Sequence, residues 1–248
     1  MVYNARSIGI TRQSKFSFCS DWAPMFRATA VTNPDHARTQ AAVGIRVASW
    51  NLLRRVGARV EDVAHLVQQH RPDLLLLQEV TEDIAALPAL VGGHFFRHRM
   101  RGRIYGLAAW SPRPFPATTA IRLPMSALPG RLPPRSAQII RFHGVSFANV
   151  HLSHGQFLNR WQLLHVAGQL EAPAAIIGDF NALGPIKMPY FQDIGPRETT
   201  HKASDILSLR LDRCMARGLH CTEAQVLSKG PSDHHPILLN LVVSSTVR

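Results

Sequence analysis

The sequence predicts an α/β protein in which mixed β-sheets pack on each other with helices outside. Three observations carry this. Short apolar segments punctuated by Gly and Pro outnumber helical stretches. Helices fall between some of these segments and not others, which suits mixed rather than purely parallel sheets. LLLLQEV (Leu74–Val80) is continuously apolar before its polar end, as a strand covered on both faces is.

The elements follow in order. GIRVASWNLL (Gly44–Leu53) alternates Ile45 and Val47 around Arg46, a strand pattern. In VEDVAHLVQQHRP, Val60, Val63, Ala64 and Val67 recur at helical spacing and Pro72 ends the run. LLLLQEV is the next strand. EDIAALPALV is a short helix at best, since Pro88 interrupts it. HFFRHR, IYGLAAWSP, TTAIRLP, AQIIRFHG and VSFANVHLS read as strands. QFLNRWQLLHVAGQL is a helix whose Phe157, Leu158, Trp161, Leu164 and His165 share one face. AAIIGDF is a strand. SLRLDRCMAR, TEAQVLS and PILLNLVV close the chain as strands.

A chain of 248 residues with 46% hydrophobic residues can bury one large core. No apolar run approaches the roughly 18–20 residues of a membrane span. Residues 1–43 hold no sustained period and no apolar signal core, and are expected to be a disordered extension or residues upstream of the true start. A transit-like segment is a weaker reading of their Arg and Ser content. The domain is expected at 44–248. Cys19, Cys214 and Cys221 are odd in number and lack C-x-x-C spacing, which argues against a zinc knuckle and a disulfide framework and suits reduced thiols in a cytoplasmic protein. A net charge of +12 suits a polyanionic partner such as nucleic acid, anionic lipid or a phosphorylated small molecule.

Polar residues recur at the ends of separate strands. Asn51 follows the first and Glu79 ends the second. His151 ends VSFANVHLS. Asp179 and Asn181 end AAIIGDFNA, two apart and so on one side of an extended chain. Asp212 interrupts a largely apolar run. Asp233 and His234 precede the last strand. Read alone, Gly-Asp-Phe-Asn is equally a turn. Together, carboxylates and carboxamides without cysteine suit a hard cation such as Mg²⁺, or Mn²⁺. The histidines, with no Ser–His spacing, suit water activation. A carboxylate inside an apolar strand needs a partner, and for Asp212 a histidine is the natural one.

WNLL, LLLLQEV, NVHLS, IIGDFNA, RLDRCM and SDHHPI, in that order, resemble the endonuclease–exonuclease–phosphatase superfamily from Gly44 to the C-terminus. The resemblance implies a four-layer αββα sandwich with two packed mixed sheets. It implies metal-dependent phosphoester hydrolysis by in-line attack of water, with no covalent intermediate. Glu79 would be the principal metal-binding carboxylate, with Asn51 and Asp233 on the metal side. Asn51 would also lie near the phosphate. His151 would contact the scissile phosphate. Asp179 and Asn181 would orient the water and bind phosphoryl oxygens. Asp212 would hold the catalytic His234.

The sequence departs from that pattern twice. Only about thirty residues separate Asn181 from Asp212, little room for a loop that grips a duplex. The acidic partner that the deoxyribonuclease branch sets against the His151 position is not visible before His151, where RMRGRIYGLAAW is basic. The leading expectation is a monomeric Mg²⁺-dependent nuclease-type phosphodiesterase. The alternatives are a phosphatase or phospholipase-type hydrolase of a small or lipid phosphate, and a catalytically degenerate binding protein. Other residues weighed are Trp50, expected beneath the site; His154, Arg135, Arg160 and Tyr105, possible substrate contacts; Asp205, a solvated loop residue; and His65, His94, His98, His143, His165, His201 and His220, expected outside it. His235 is expected to face away from His234.

Overall fold

A computed structural model of the chain describes residues 44–100, 102–116, 118–125, 134–203 and 207–244. The expectation of a disordered extension at 1–43, and that for Asp205, lie outside the described residues. The chain runs β1 (Ile45–Asn51), α1 (Val60–His70), β2 (Leu74–Val80), α2 (Leu87–Val91), β3 (His94–Arg99), β4 (Gly106–Ser111), β5 (Thr119–Arg122), β6 (Ser136–Phe142) and β7 (Val145–His151). It continues through α3 (Gln156–Ala167), β8 (Ala174–Asp179), β9 (Gln192–Asp193), β10 (His201–Ala203), β11 (Leu207–Leu209), β12 (Asp212–Arg217), β13 (Leu219–Val226) and β14 (Ile237–Val243).

Among the described residues, two six-stranded sheets form, ordered β13-β14-β1-β2-β4-β3 and β5-β6-β7-β8-β12-β9, with β10-β11 as a separate pair. Each six-stranded sheet has one parallel pair near its centre, β1 with β2 and β7 with β8. The remaining strand pairs are antiparallel. Helix α1 makes the crossover in the first sheet and α3 that in the second, as parallel neighbours require. Asn51, Glu79, His151 and Asp179 lie at or one residue before the C-terminal ends of these four parallel strands.

The layers follow from alternation along the strands. Leu74 and Leu76 pack between the sheets with Val47, Phe147 and Ile177. Leu75 and Leu77 face outward against Val63, Leu66 and Val67 of α1. Ile176 and Val150 face outward against Leu163 and Val166 of α3. The unbroken Leu74–Leu77 run thus serves two cores at once. Each of those side chains is fully buried, a contribution of about 1.5–3 kcal/mol apiece. This is the four-layer arrangement that the sequence suggested.

Three local departures have physical causes. Pro88 does not interrupt a helix but sits in the first turn of α2, where no amide hydrogen is needed. The SLRLDRCMAR segment divides into β11 and β12, which places Asp212 at a strand start. In α3 the apolar face read from the sequence is turned outward: Phe157 is 93% exposed, Trp161 56% and Leu164 49%. The buried face instead carries Asn159, Gln162, Leu163 and Val166. Its amides are held by backbone: Asn159 Nδ2 donates to the Asn181 carbonyl at 2.9 Å, and Gln162 Oε1 accepts from Ser153 N–H at 2.9 Å.

A buried amide cluster joins the two sheets just below the site. Gln78 Nε2 donates to Asn149 Oδ1 at 2.8 Å. Asn149 Nδ2 donates to the Leu77 and Ala108 carbonyls, each at 3.0 Å, and to Gln138 Oε1 at 3.2 Å. Gln78 precedes Glu79 on β2, and Asn149 lies two residues before His151 on β7. The bonds therefore fix the height of one strand end against the other.

Candidate active site

The candidate residues converge on one open cleft of about 440 Å³ at the C-terminal edges of the parallel pairs. Asn51, Glu79, His151, Asp179, Asn181, Asp233 and His234 all line it. Asp212 lies behind it, fully buried. The register explains the convergence: His151 pairs with Asp179 across β7 and β8, and Asp212 pairs with Asp179 across β12 and β8.

Two backbone features aim the side chains. Glu79 has φ 54, a left-handed value costly for a residue with a Cβ. It lies at the register shift between Leu77 and Val80, a bulge that re-aims it out of the strand alternation. Asn181 has φ 47 just beyond β8. Its backbone N–H donates to Asp179 Oδ1 at 2.9 Å, so the local turn and the site are the same feature.

Asp179 is the hub. Its Oδ2 accepts from Asn51 Nδ2 at 3.1 Å and Asn181 Nδ2 at 3.2 Å. The same oxygen lies 3.4 Å from His151 Nε2 and 3.8 Å from His234 Nε2. Burial pushes the Asp179 carboxyl above its usual range, against the pull of His234 and the donors to it.

The two imidazoles are held differently. His234 Nδ1 is 2.8 Å from Asp212 Oδ2. Burial pulls His234 down, but Asp212 and Asp179 outweigh it and hold its pKa at about 10. Ser232 Oγ accepts the His234 N–H at 3.1 Å and donates to the Asn51 carbonyl at 2.7 Å. Trp50 lies beneath, its Nε1 donating to the His234 carbonyl at 3.0 Å. His151 Nδ1 instead receives Arg135 Nη1 at 3.1 Å. Burial first, then the Arg135 and His234 charges, push the His151 pKa well below the ordinary value.

Oxygen donors in this cleft fit a hard cation. Glu79 Oε2 is buried without a hydrogen bond, and Arg54 Nε lies 3.9 Å from it. Burial raises the Glu79 carboxyl. Such an orphaned carboxylate oxygen is what a divalent ion would satisfy. Asp233 Oδ1 is likewise without a partner, while its Oδ2 pairs with His201 Nε2 at 3.3 Å.

Several lining residues were weakly signalled or missed in the sequence. His201, expected outside the site, lines it: it packs edge-on to His234 at 4.5 Å between centroids and bridges to it through the backbone. His201, Asp233 and His234 offer ligand atoms all within 4.8 Å of one another. Thr200 Oγ1 accepts from the backbone N–H groups of Leu211 and Asp212 at 3.0 and 2.9 Å and so seats Asp212. His154 also lines the cleft. Arg160 is spent on Gln156 and on the Leu183 and Pro185 carbonyls. Tyr105 is buried with Arg54 stacked 5.4 Å from its ring centre. His235 Nδ1 lies 3.0 Å from the Leu227 carbonyl.

Acids, amides and imidazoles thus gather on one edge of two packed sheets in a four-layer scaffold. The profile of the Endonuclease/Exonuclease/phosphatase family matches residues 48–234, and the chain belongs to that family. The family includes metal-dependent phosphoesterases. Comparison with curated protein sequences gives no match. Among solved structures, the chain is similar to a functionally unknown conserved protein from Enterococcus faecalis V583, with TM-score 0.68 and 21% identity over 81% of this chain and 100% of that one. It is similar to an endonuclease/exonuclease/phosphatase from Beutenbergia cavernae DSM 12333, with TM-score 0.66 and 18% identity over 81% and 72%. It is also similar to truncated TDP2 of Caenorhabditis elegans, with TM-score 0.62 and 21% identity over 81% and 98%. At these identities the likeness concerns the fold. No helix among the described residues is long and apolar enough to cross a membrane.

Proposed function

We propose that the protein is a divalent-metal-dependent phosphodiesterase of the nuclease type. One observation carries the reading: a buried, amide-bonded Asp179 has two imidazoles within 4 Å of one oxygen, in a cleft that also holds an orphaned Glu79 oxygen. Glu79, with Asn51 and Asp233, would hold Mg²⁺ or Mn²⁺, which supplies charge neutralisation at the phosphoryl oxygens.

The chain's own residues do the rest. Asp179, with its pKa raised by burial, accepts the proton of the attacking water. The new bond joins the water oxygen to phosphorus. The ester P–O bond opposite breaks, and its oxygen is protonated from solvent. His234, with its pKa held at about 10, is a cation at neutral pH and donates from Nε2 to a phosphoryl oxygen. Asn181 and His151 Nε2 add donors to developing charge, each worth about 10²–10³ in rate. The +12 net charge supports a polyanionic substrate.

A second reading, a phospholipase-type enzyme, is favoured by one feature. The outward Phe157–Trp161–Leu164 face belongs to a helix whose first residue, Gln156, lines the cleft, and apolar surface beside basic charge suits an anionic lipid interface.

The test uses the full chain with Mg²⁺, Mn²⁺ or EDTA on bis-(p-nitrophenyl) phosphate, plasmid and single-stranded DNA, and phospholipid vesicles, with Asp179→Ala as the blank. Metal-dependent DNA cleavage that weakens steeply with salt is the expected result. Turnover of vesicles with DNA untouched would move the assignment to the second reading, and turnover of the small ester alone would keep a phosphodiesterase but replace nucleic acid with a small phosphate substrate. Activity equal in Asp179→Ala and wild type would sink both.

A further inference from the structure

The part that His151 plays in turnover rests on the phosphodiesterase reading; the protonation of its ring does not. His151 is buried, and its Nδ1 faces a guanidinium, not a carboxylate. A guanidinium has five N–H donors and no acceptor. The 3.1 Å contact between Arg135 Nη1 and His151 Nδ1 therefore has one polarity: the arginine donates, and the Nδ1 lone pair accepts. The ring proton must then sit on Nε2. That atom lies 3.4 Å from Oδ2 of Asp179, which lines the cleft with His151.

The nearest carboxylate to Nδ1, Glu79 Oε1, is 3.9 Å away, beyond hydrogen-bond distance. Nor is Arg135 a casual surface neighbour. It is 5% exposed, stands just before β6, and its Nε has no hydrogen-bond partner. Burying a guanidinium with a donor unused is costly. A role through His151 would account for keeping it there.

We propose that Arg135 is a positioning residue: through its bond to Nδ1 it holds His151 as the Nε2–H tautomer, which makes His151 a fixed donor to a substrate phosphoryl oxygen and removes it as a base. His234, whose Nδ1 faces Asp212, has the opposite polarity. The basic RMRGRIYGLAAW stretch, which supplies no acid for His151, is consistent with this division.

The first test is spectroscopic and needs no substrate. In ¹⁵N-labelled full-length protein, long-range ¹H–¹⁵N correlation, with His151→Gln to assign the signals, should show the His151 proton on Nε2 and a bare Nδ1. Arg135→Met should give a mixture of tautomers. A wild-type His151 protonated on Nδ1 would overturn the proposal.

The second test is kinetic, on bis-(p-nitrophenyl) phosphate with Mg²⁺. Arg135→Met should lower kcat about 100-fold, the scale of a misaligned catalytic group, with KM changed less than about threefold. In a His151→Ala background the same substitution should cost less than about threefold, because its target is gone. An undiminished loss there would mean that Arg135 acts by itself, and would overturn the proposal. Arg135→Lys keeps a donor and no acceptor, so it should retain the Nε2–H tautomer and recover about tenfold of the lost kcat. If Arg135→Met does not fold, the wild-type spectrum and the lysine variant decide. Lysine protein showing an Nδ1 proton would count against the idea. Wild-type protein inert toward every phosphoester would defeat the functional reading while leaving the spectroscopic test intact.

Discussion

His151 and His234 both approach one carboxylate, their Nε2 atoms 3.4 and 3.8 Å from the same oxygen of Asp179. Both are at least 95% buried. Yet one is pushed well below the ordinary histidine range and the other is held at about 10. Burial lowers both. The difference lies at Nδ1, where His151 meets the Arg135 guanidinium and His234 the Asp212 carboxylate. The charge of a neighbour, rather than depth, sorts two like side chains into a neutral donor and a cation. The sorting originates in the second sheet, where β6 follows Arg135 and β12 begins with Asp212.

The sharpest way to break the contrast is to neutralise its carboxylate side. Asp212→Asn keeps the volume and offers an amide to His234 Nδ1. It removes the charge that sustains the cation, and leaves a neutral ring whose tautomer no carboxylate fixes. A fall in kcat of about 10³–10⁴ is expected, the cost of a wrong imidazole tautomer. Steady-state turnover in Mg²⁺ checks it, with a thermal melt to show that the fold survives. A fall under tenfold would mean that His234 does not act through Asp212.

Removing the neutral donor should cost less. His151→Ala is expected to lower kcat about 10²–10³-fold, as loss of one donor to developing charge does. If its loss equalled or exceeded that of Asp212→Asn, the assignment of cation and donor to His234 and His151 would be reversed.

Much of this contrast was legible in the sequence, but unevenly. Strand ends announced Asn51, Glu79, His151, Asp179 and Asn181, because a polar residue closing an apolar run is conspicuous. Asp212 announced its need for a partner by sitting in an apolar stretch. Arg135 was visible as an arginine at a strand start that could face phosphate, but its bond to His151 was not, since that partner lies sixteen positions on. His201 carried no signal at all. Its place comes from the short β10 strand and a backbone bridge to His234. The outward apolar face of α3 could not be read either: periodicity gives the face, but Asn159 and Gln162 could be buried only because backbone carbonyls and amides stood ready to bond them. Even Gln78 and Asn149, each near a site residue in the chain, look like ordinary strand polars until the two sheets are stacked.

That amide cluster gives the next test. Asn149 anchors the strand that ends in His151, whereas His234 is held by Ser232 and Trp50. Asn149→Ala removes the buried donor to the Leu77 and Ala108 carbonyls and to Gln138 Oε1, and a loss of about 2–3 kcal/mol in urea-unfolding stability is expected. At temperatures where the variant stays folded, its kcat should fall through displacement of His151. The same substitution in a His151→Ala background should then leave kcat nearly unchanged. An equal loss in both backgrounds would show that the two histidine walls are not held independently.

The smallest effect extends the rule of neighbouring charge to a carboxylate away from the cleft hub. Asp193 receives Arg210 at both oxygens, each at 2.7 Å, with Arg213 at 3.3 Å and Arg197 at 3.6 Å. Burial pushes its carboxyl up, but the Arg210 bonds and the surrounding guanidinium charges win and hold it below the ordinary value. The folded state therefore releases this proton at lower pH than the unfolded chain does. The resulting stability is fully present above an unfolded value of about 3.9 and is lost as pH falls through the folded one. Asp193→Asn should cost about 1 kcal/mol at neutral pH. The gap between variant and wild type should close as acid protonates Asp193 in both states. Urea midpoints at pH 7 and at successively lower pH would read this directly. A gap that stayed constant down the series would mean that Asp193 stabilises β9 and β12 through shape and hydrogen bonding, with its charge irrelevant, and the rule drawn from the two histidines would then stop at the edge of the cleft.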